Sequence, residues 1–175
     1  MRRRKFMTLL GSAVVWPRAA YSQTARNIPL VAYLWHAGSA EEEQPYYGAI
    51  IDGFAQLGYV EARTIKLEHR FPDEKPELFK SMAAELVALK PDVLMGGAIS
   101  SSYLKDATST VPIVFMFVPD PIGMKLIESF GKPGGNATGF VNFGRDLVGK
   151  RLQSLKEIVP NLSRVALLVN SEQPA

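Results

Sequence analysis

The residue types that could do chemistry in this chain of 175 residues fall into three short polar stretches. The first holds Trp35, His36 and Ser39, the second Gly97, Ala98, Ser100 and Ser101, and the third Asp120, set between Val118 and Pro121. An imidazole beside an indole and a hydroxyl suits contact with a polar ligand, although a histidine in a loop can equally be only solvated. Serine hydroxyls where a helix starts, together with the free N–H groups and positive dipole end found there, suit a carboxylate or a phosphate. The same serines also serve as plain N-caps. Asp120 suits a ligand ammonium or hydroxyl, or an Asx turn leading into Pro121. These are binding chemistries. The patterns G-x-S-x-G, H-E-x-x-H and G-x-x-x-x-G-K-S/T are missing, and His36 and His69 are the 2 histidines. No catalytic residue, cofactor or metal is therefore expected. The acids Glu41, Glu42 and Glu43 favour a helix start through its dipole. His69 reads as structural. The glycines Gly131, Gly134, Gly135 and Gly139 have the wrong spacing for a dinucleotide fingerprint and read as turn formers.

The elements around the three stretches must hold them at one edge of a sheet. Residues 93–95 and 113–118 are unbroken apolar runs, the pattern of parallel strands covered on both faces. Two such strands need a crossover, and residues 101–108, opened by Gly96, Gly97 and three serines, are the candidate helix for it. Residues 28–34 form a further apolar strand that ends in the Trp35 to Ala40 loop. Tyr46, Tyr47, Ile50, Ile51, Phe54 and Leu57 recur at helical spacing from about Glu43, and Gly58 supplies a stop. Residues 64–70 alternate Ile65 and Leu67 with Lys66 and Glu68, which predicts an edge strand with one face in water. Leu78, Met82, Leu86 and Leu89 make a second helix, entered through Pro76 and stopped before Pro91. Residues 122–130 read as a short apolar helix, Phe140 and Val141 as a fifth strand, residues 147–159 as a longer helix and residues 164–170 as another strand. The alternation gives an α/β fold, a Rossmann-like parallel sheet with helices on both faces. Ligands in such sheets sit at the loops after the strand carboxyl ends, where the three polar stretches lie.

The hydrophobic share of 47% suffices for a core, while the charged share of 21% suits a globular chain. Arg2, Arg3, Arg4 and Lys5 precede an apolar stretch from Phe6 to Trp16, and Ala20 and Ser22 follow as small residues, so residues 1–22 read as an export signal cleaved near Ser22. Arg3, Arg4 and Phe6 resemble a twin-arginine leader, with ordinary Sec export or a membrane anchor as the other readings. The apolar stretch is shorter than the ~20 residues that span a bilayer. Removing Arg2, Arg3, Arg4, Lys5 and Arg18, with no acid among them, turns a formal charge of +3 into a small negative one. The basic balance thus belongs to the leader and gives no support for nucleic-acid binding. With no cysteine in the chain, stability rests on packing, not on disulfides.

In order, the leader RRRKFMTLLGSA, the stretch DVLMGGAISSSYLKDATSTVPIVFMFVPDPIG, then PGGNATGF and GKRLQSLKEIVPNLSRVALLVN resemble the bacterial ABC transporter substrate-binding proteins of the type I periplasmic-binding fold. The resemblance implies a two-lobed, periplasmic, non-enzymatic protein that closes on a small-molecule solute, an amino acid or related compound, and delivers it to an ABC permease in the inner membrane. Matched loop by loop, it implies Trp35, His36, Ser39, Gly97, Ala98, Ser100, Ser101 and Asp120 as the first-lobe ligand wall. Residues 23–162 would then be the first lobe and residues 163–175 the start of a truncated second one, since two lobes of ~150 residues exceed this chain. Two other classes remain: an exported sensor lobe docking a membrane receptor, and a flavodoxin-like α/β enzyme. The enzyme would need a phosphate-cradling loop or an acidic cluster at the same strand ends.

Overall fold

The computed structural model describes residues 28–142 and 147–166. In chain order these form β1 (Leu30–Leu34), α1 (Tyr46–Gln56), β2 (Lys66–Arg70), α2 (Pro76–Ala88), β3 (Val93–Gly97), α3 (Ala98–Ala107), β4 (Ile113–Val118), β5 (Ala137–Val141) and α4 (Val148–Ile158). The strands make one parallel sheet in the order β2-β1-β3-β4-β5. The α/β sheet expected from the apolar runs is therefore present, with β2 at an edge as its alternation predicts. From β1 the chain moves outward to β2, then crosses back over β1 to build β3, β4 and β5 on the other side. The order reverses between β1 and β3, and a crevice opens at the carboxyl ends of strands at such a point.

The core lies on one face of this sheet. Ala32, Leu34, Leu94, Ile113, Phe115 and Ala137 meet Phe79, Ala83 and Leu86 of α2 and Leu104 of α3. Phe79 and Tyr103 stack with ring centroids 5.1 Å apart and tie the two helices together. Gly96 permits the fit of β3 to α3, because a Cβ there would sit 2.9 Å from Leu104 Cδ1 and 3.3 Å from the Ser101 backbone nitrogen. The opposite face carries α1, placed there by Tyr47, whose ring lies 5.2 Å from that of His69. This face is less completely covered than the continuous apolar runs predict. Val31, Val93, Met95, Val114 and Met116 are only half-buried, and no residue of α1 is buried.

Three elements depart from the sequence expectation. Residues 122–130 are a chain of turns instead of a helix: Leu126 N–H donates to Pro121 O at 2.9 Å, Glu128 N–H to Pro133 O at 2.9 Å, and Lys125 has φ +57°. Leu126 and Ile127 enter the core from that loop. The crossover helix α3 starts at Ala98, ahead of the predicted residue 101, because β3 runs into it with Gly97 as the N-cap and no side-chain cap bond. The serines therefore sit inside the helix instead of capping it. Of the predicted strand at 164–170, residues 164–166 have no regular structure and the remainder lies outside the described residues, as does the predicted leader.

Candidate functional site

The ends of β1, β3 and β4 enclose a cavity of about 260 Å³ at the reversal of strand order. Its floor is aromatic. Tyr33, the penultimate residue of β1, and Trp35, which follows it, stack with centroids 3.8 Å apart and planes 19° from parallel. Trp35 in turn stacks on Phe71 at 6.0 Å and packs against Tyr47 of α1 at 5.3 Å. Its indole Nε1–H donates to His69 Nδ1 at 2.9 Å, which fixes the ring in its plane and requires His69 to be unprotonated at that nitrogen. Burial lowers the His69 pKa below its ordinary value, against the smaller opposing pull of Glu61 and Glu68. Burial also raises the Tyr33 pKa, reinforced by the charge of Glu43, so Tyr33 remains a phenol.

Two further rings form the rim. Tyr46 opens α1 and Phe117 lies near the end of β4, 53% and 49% exposed, with centroids 5.0 Å apart. Phe117 reaches this position through a bulge. The ladder between β4 and β5 pairs Phe115 with Gly139 and then Val118 with Val141, one residue more on β4 than on β5, and Phe117 takes φ +55° there. Ala98, which also lines the cavity, has φ +41°. Left-handed backbone at non-glycine residues costs on the order of 1 to 2 kcal/mol, and two such residues border this cavity. Asn142 contributes to the wall, and its backbone N–H donates to Val118 O at 3.2 Å.

The polar part of the wall comes from the loop after β1. Glu43 Oε1 accepts the backbone N–H groups of His36 at 2.8 Å and Ala37 at 2.7 Å, and Glu42 Oε2 accepts that of Gly38 at 2.9 Å. Two of the three acids expected to favour a helix start thus fold back to hold this loop. Half-exposed His36 stands between Glu43, 3.9 Å from its Nδ1, and Glu74, 3.6 Å from its Nε2. His36 and Glu43 both line the cavity.

Of the eight residues singled out in the sequence, the fold brings Trp35, His36, Gly97 and Ala98 into the cavity wall. It does not bring Ser39, Ser100, Ser101 or Asp120 there. Ser39 Oγ accepts the Glu42 N–H at 3.3 Å. Ser100 and Ser101 are fully buried; Ser100 Oγ donates to Trp35 O at 2.8 Å and Ser101 Oγ to Gly96 O at 2.9 Å. Their hydroxyls lock the first turn of α3 onto the ends of β1 and β3, supporting the wall from behind. Asp120 Oδ1 accepts the Gly123 N–H at 2.8 Å, the local turn that its place before Pro121 allows. Tyr33, Glu43, Tyr46, Phe117 and Asn142 line the cavity without having been singled out. The signal available for two of them, Tyr33 and Tyr46, was the density of rings in a short span, Tyr33, Trp35, Tyr46 and Tyr47. Among the described residues no group of three or more histidines, aspartates or glutamates is placed to hold a metal ion.

An open parallel sheet with a concave, ring-lined wall at its reversal point is the architecture of a domain that offers one face to a small molecule. The chain belongs to the ABC transporter substrate binding protein family, whose sequence profile matches residues 37–175. It is 24% identical over 153 residues to a tyrosine-binding protein of Clostridioides difficile strain R20291, covering 87% of this chain and 43% of that protein. Among solved structures, a conserved domain protein from Vibrio cholerae O1 biovar El Tor superposes with a TM-score of 0.67 at 31% identity, over 77% of this chain and 45% of the other. A Streptococcus pneumoniae ABC domain in complex with L-Trp superposes with a TM-score of 0.59 at 28% identity, over 65% and 38%. The chain spans under half the length of each of these relatives.

Proposed function

We propose that this chain is the solute-binding part of an ABC importer, exported by the leader at residues 1–22 and acting in the periplasm by handing a small molecule to an inner-membrane permease, without catalysis. In this reading residues 23–162 are the first of two lobes, and the cavity between β1, β3 and β4 is its half of the cleft. The ligand is an amino acid or related solute that carries a ring. The observation that carries the reading is the aromatic wall at the reversal of strand order, with Tyr33 and Trp35 stacked as its floor and Tyr46 and Phe117 exposed as its rim. Exposed rings beside a few fixed polar groups suit a flat apolar body with a polar head. Relatives named for tyrosine binding and solved with L-Trp support the same ligand class.

Thermal-shift measurements of this chain against amino acids, sugars and small organic acids test the proposal. Aromatic amino acids at millimolar concentration are expected to raise the melting temperature by mass action, and to move the indole N–H resonance of Trp35. Stabilisation by sugars or small acids, with none by aromatic amino acids, would overturn it.

A further inference from the structure

Resting on that reading of the cavity, we infer that Glu43 is a specificity-determining residue that receives the positively charged ammonium group of the ligand.

The charge inventory of the wall points there. The serines that would have supplied hydroxyls to an anionic group are fully buried and donate to the carbonyls of Trp35 and Gly96. The loop N–H groups of His36, Ala37 and Gly38, a second place where an anion could settle, already donate to Glu43 and Glu42. Among the described residues Glu43 is the carboxylate in the cavity lining, and its side chain is 12% exposed. Both of its hydrogen bonds to the loop converge on Oε1, so Oε2 remains the oxygen that can accept from a ligand N–H. Its charge acts on the Tyr33 phenol across the same cavity. A carboxylate that shares the cavity with the exposed rings of Tyr46 and Phe117 attracts a cation twice over, by direct charge and through the ring quadrupoles. The uncapped start of α3 at Gly97 and Ala98 borders the cavity as well, and its dipole favours negative charge. A zwitterion can therefore be oriented by the two ends, and Glu43 selects its positive one.

The test uses three ligands that share a phenyl ring: phenethylamine, 3-phenylpropionate and L-phenylalanine. Each is titrated into the 175-residue chain and into Glu43→Gln, following the Trp35 indole N–H by NMR. Glutamine is the chosen replacement because its amide oxygen can still accept the His36 and Ala37 N–H groups, and an unchanged amide spectrum of the loop verifies that the fold is kept. The wild-type chain is expected to bind phenethylamine and L-phenylalanine more tightly than 3-phenylpropionate. Glu43→Gln is expected to weaken the two amines roughly tenfold, the loss of a charge-assisted hydrogen bond, and to leave 3-phenylpropionate unchanged or improved. Binding of all three ligands with no preference for the amines, or an equal effect of the substitution on all three, would overturn the role of Glu43 and leave the aromatic cavity standing. Binding of none would overturn the cavity reading together with this inference. A wild-type chain that binds 3-phenylpropionate as tightly as the two amines overturns the inference even where the variant does not fold.

Discussion

Beneath α2 and α3 the sheet presents Ala32, Leu34, Leu94, Ile113 and Phe115, each at most 2% exposed, and is sealed by Phe79, Ala83, Leu86 and Leu104. Beneath α1 the same strands present Tyr33 and His69 beside half-buried Val31, Val93 and Met95, covered by a helix with no buried residue. The first face is aliphatic and closed, the second aromatic and partly open. Alternation along each strand makes this division possible, since neighbouring residues point to opposite faces and can be chosen independently. The difference teaches that the aliphatic core and the ring-lined cavity are separated here across the thickness of one sheet, with Ser100 as a rivet between them: it sits in the closed layer and holds the carbonyl of Trp35 at the edge of the open one.

The comparison breaks most visibly under truncation of the closed face. Leu86 is fully buried between α2 and the sheet, and Leu86→Ala is expected to cost about 2 to 5 kcal/mol through lost burial and the cavity left behind. Ile50→Ala on α1, where the side chain is half-buried, should cost about 1 kcal/mol. Urea unfolding of the two variants checks this, and equal losses would mean that α1 packs as firmly as α2.

How much of this was legible in the sequence follows from the same division. The closed face was readable because aliphatic burial repeats with a regular period: Ile113 to Val118 reads as a strand and Leu78 to Leu89 as a helix. The alternation around Leu67 separately marked β2 as an edge. The loops after β1 and β3 were readable as the ones that border the strand-end cavity, because the chain topology fixes where a parallel sheet opens. Individual roles inside those loops were not. Whether a serine faces a ligand or a carbonyl depends on where the helix begins, and a start at Ala98 turns Ser100 and Ser101 inward. Phe117 reads as one more apolar strand residue until the bulge rotates it outward, and nothing in IVFMFV announces an inserted residue. Glu43 reads as a helix-start acid because its partners, the N–H groups of His36 and Ala37, become visible only when the loop folds over it.

A middle-sized effect sharpens the comparison at Phe117. Its backbone is left-handed at φ +55° while its ring is 49% exposed, so the residue contributes to the cavity rim at the expense of strain. Phe117→Ala and Phe117→Gly remove the same ring contact with Tyr46, yet only glycine relieves the left-handed penalty. The glycine variant should therefore be more stable than the alanine variant by ~1 kcal/mol, while both lose affinity for ring-bearing ligands. Denaturation midpoints and ligand titrations separate the two quantities, and equal stabilities would show that the bulge stores no strain at this position.

The smallest effect is a pH dependence confined to the aromatic face. His69 accepts the Trp35 indole N–H at Nδ1, and burial holds its pKa below the ordinary 6.5, opposed by Glu61 and Glu68. The folded chain thus binds a proton at His69 less readily than the unfolded chain does. Stability from this source is fully present above pH 6.5, declines as pH falls from there toward the lowered folded value, and changes no further below it. Partial exposure of the ring keeps the decline small. The carboxylate of Glu68 acts in a separate, lower window: its hydrogen bond from Lys66, together with the charges of Lys66 and Arg70 and against a modest burial effect, lowers its pKa, so its contribution is present above 4.5 and is lost as pH falls through the lowered value. The two windows can be told apart with His69→Gln, whose amide oxygen can accept the indole N–H but does not titrate. In that variant the decline beginning at pH 6.5 should vanish and the Trp35 indole N–H resonance should stop moving over the same range, while the Glu68 window persists. If the decline survives the substitution unchanged, another group carries it, and the burial of His69 is not its source.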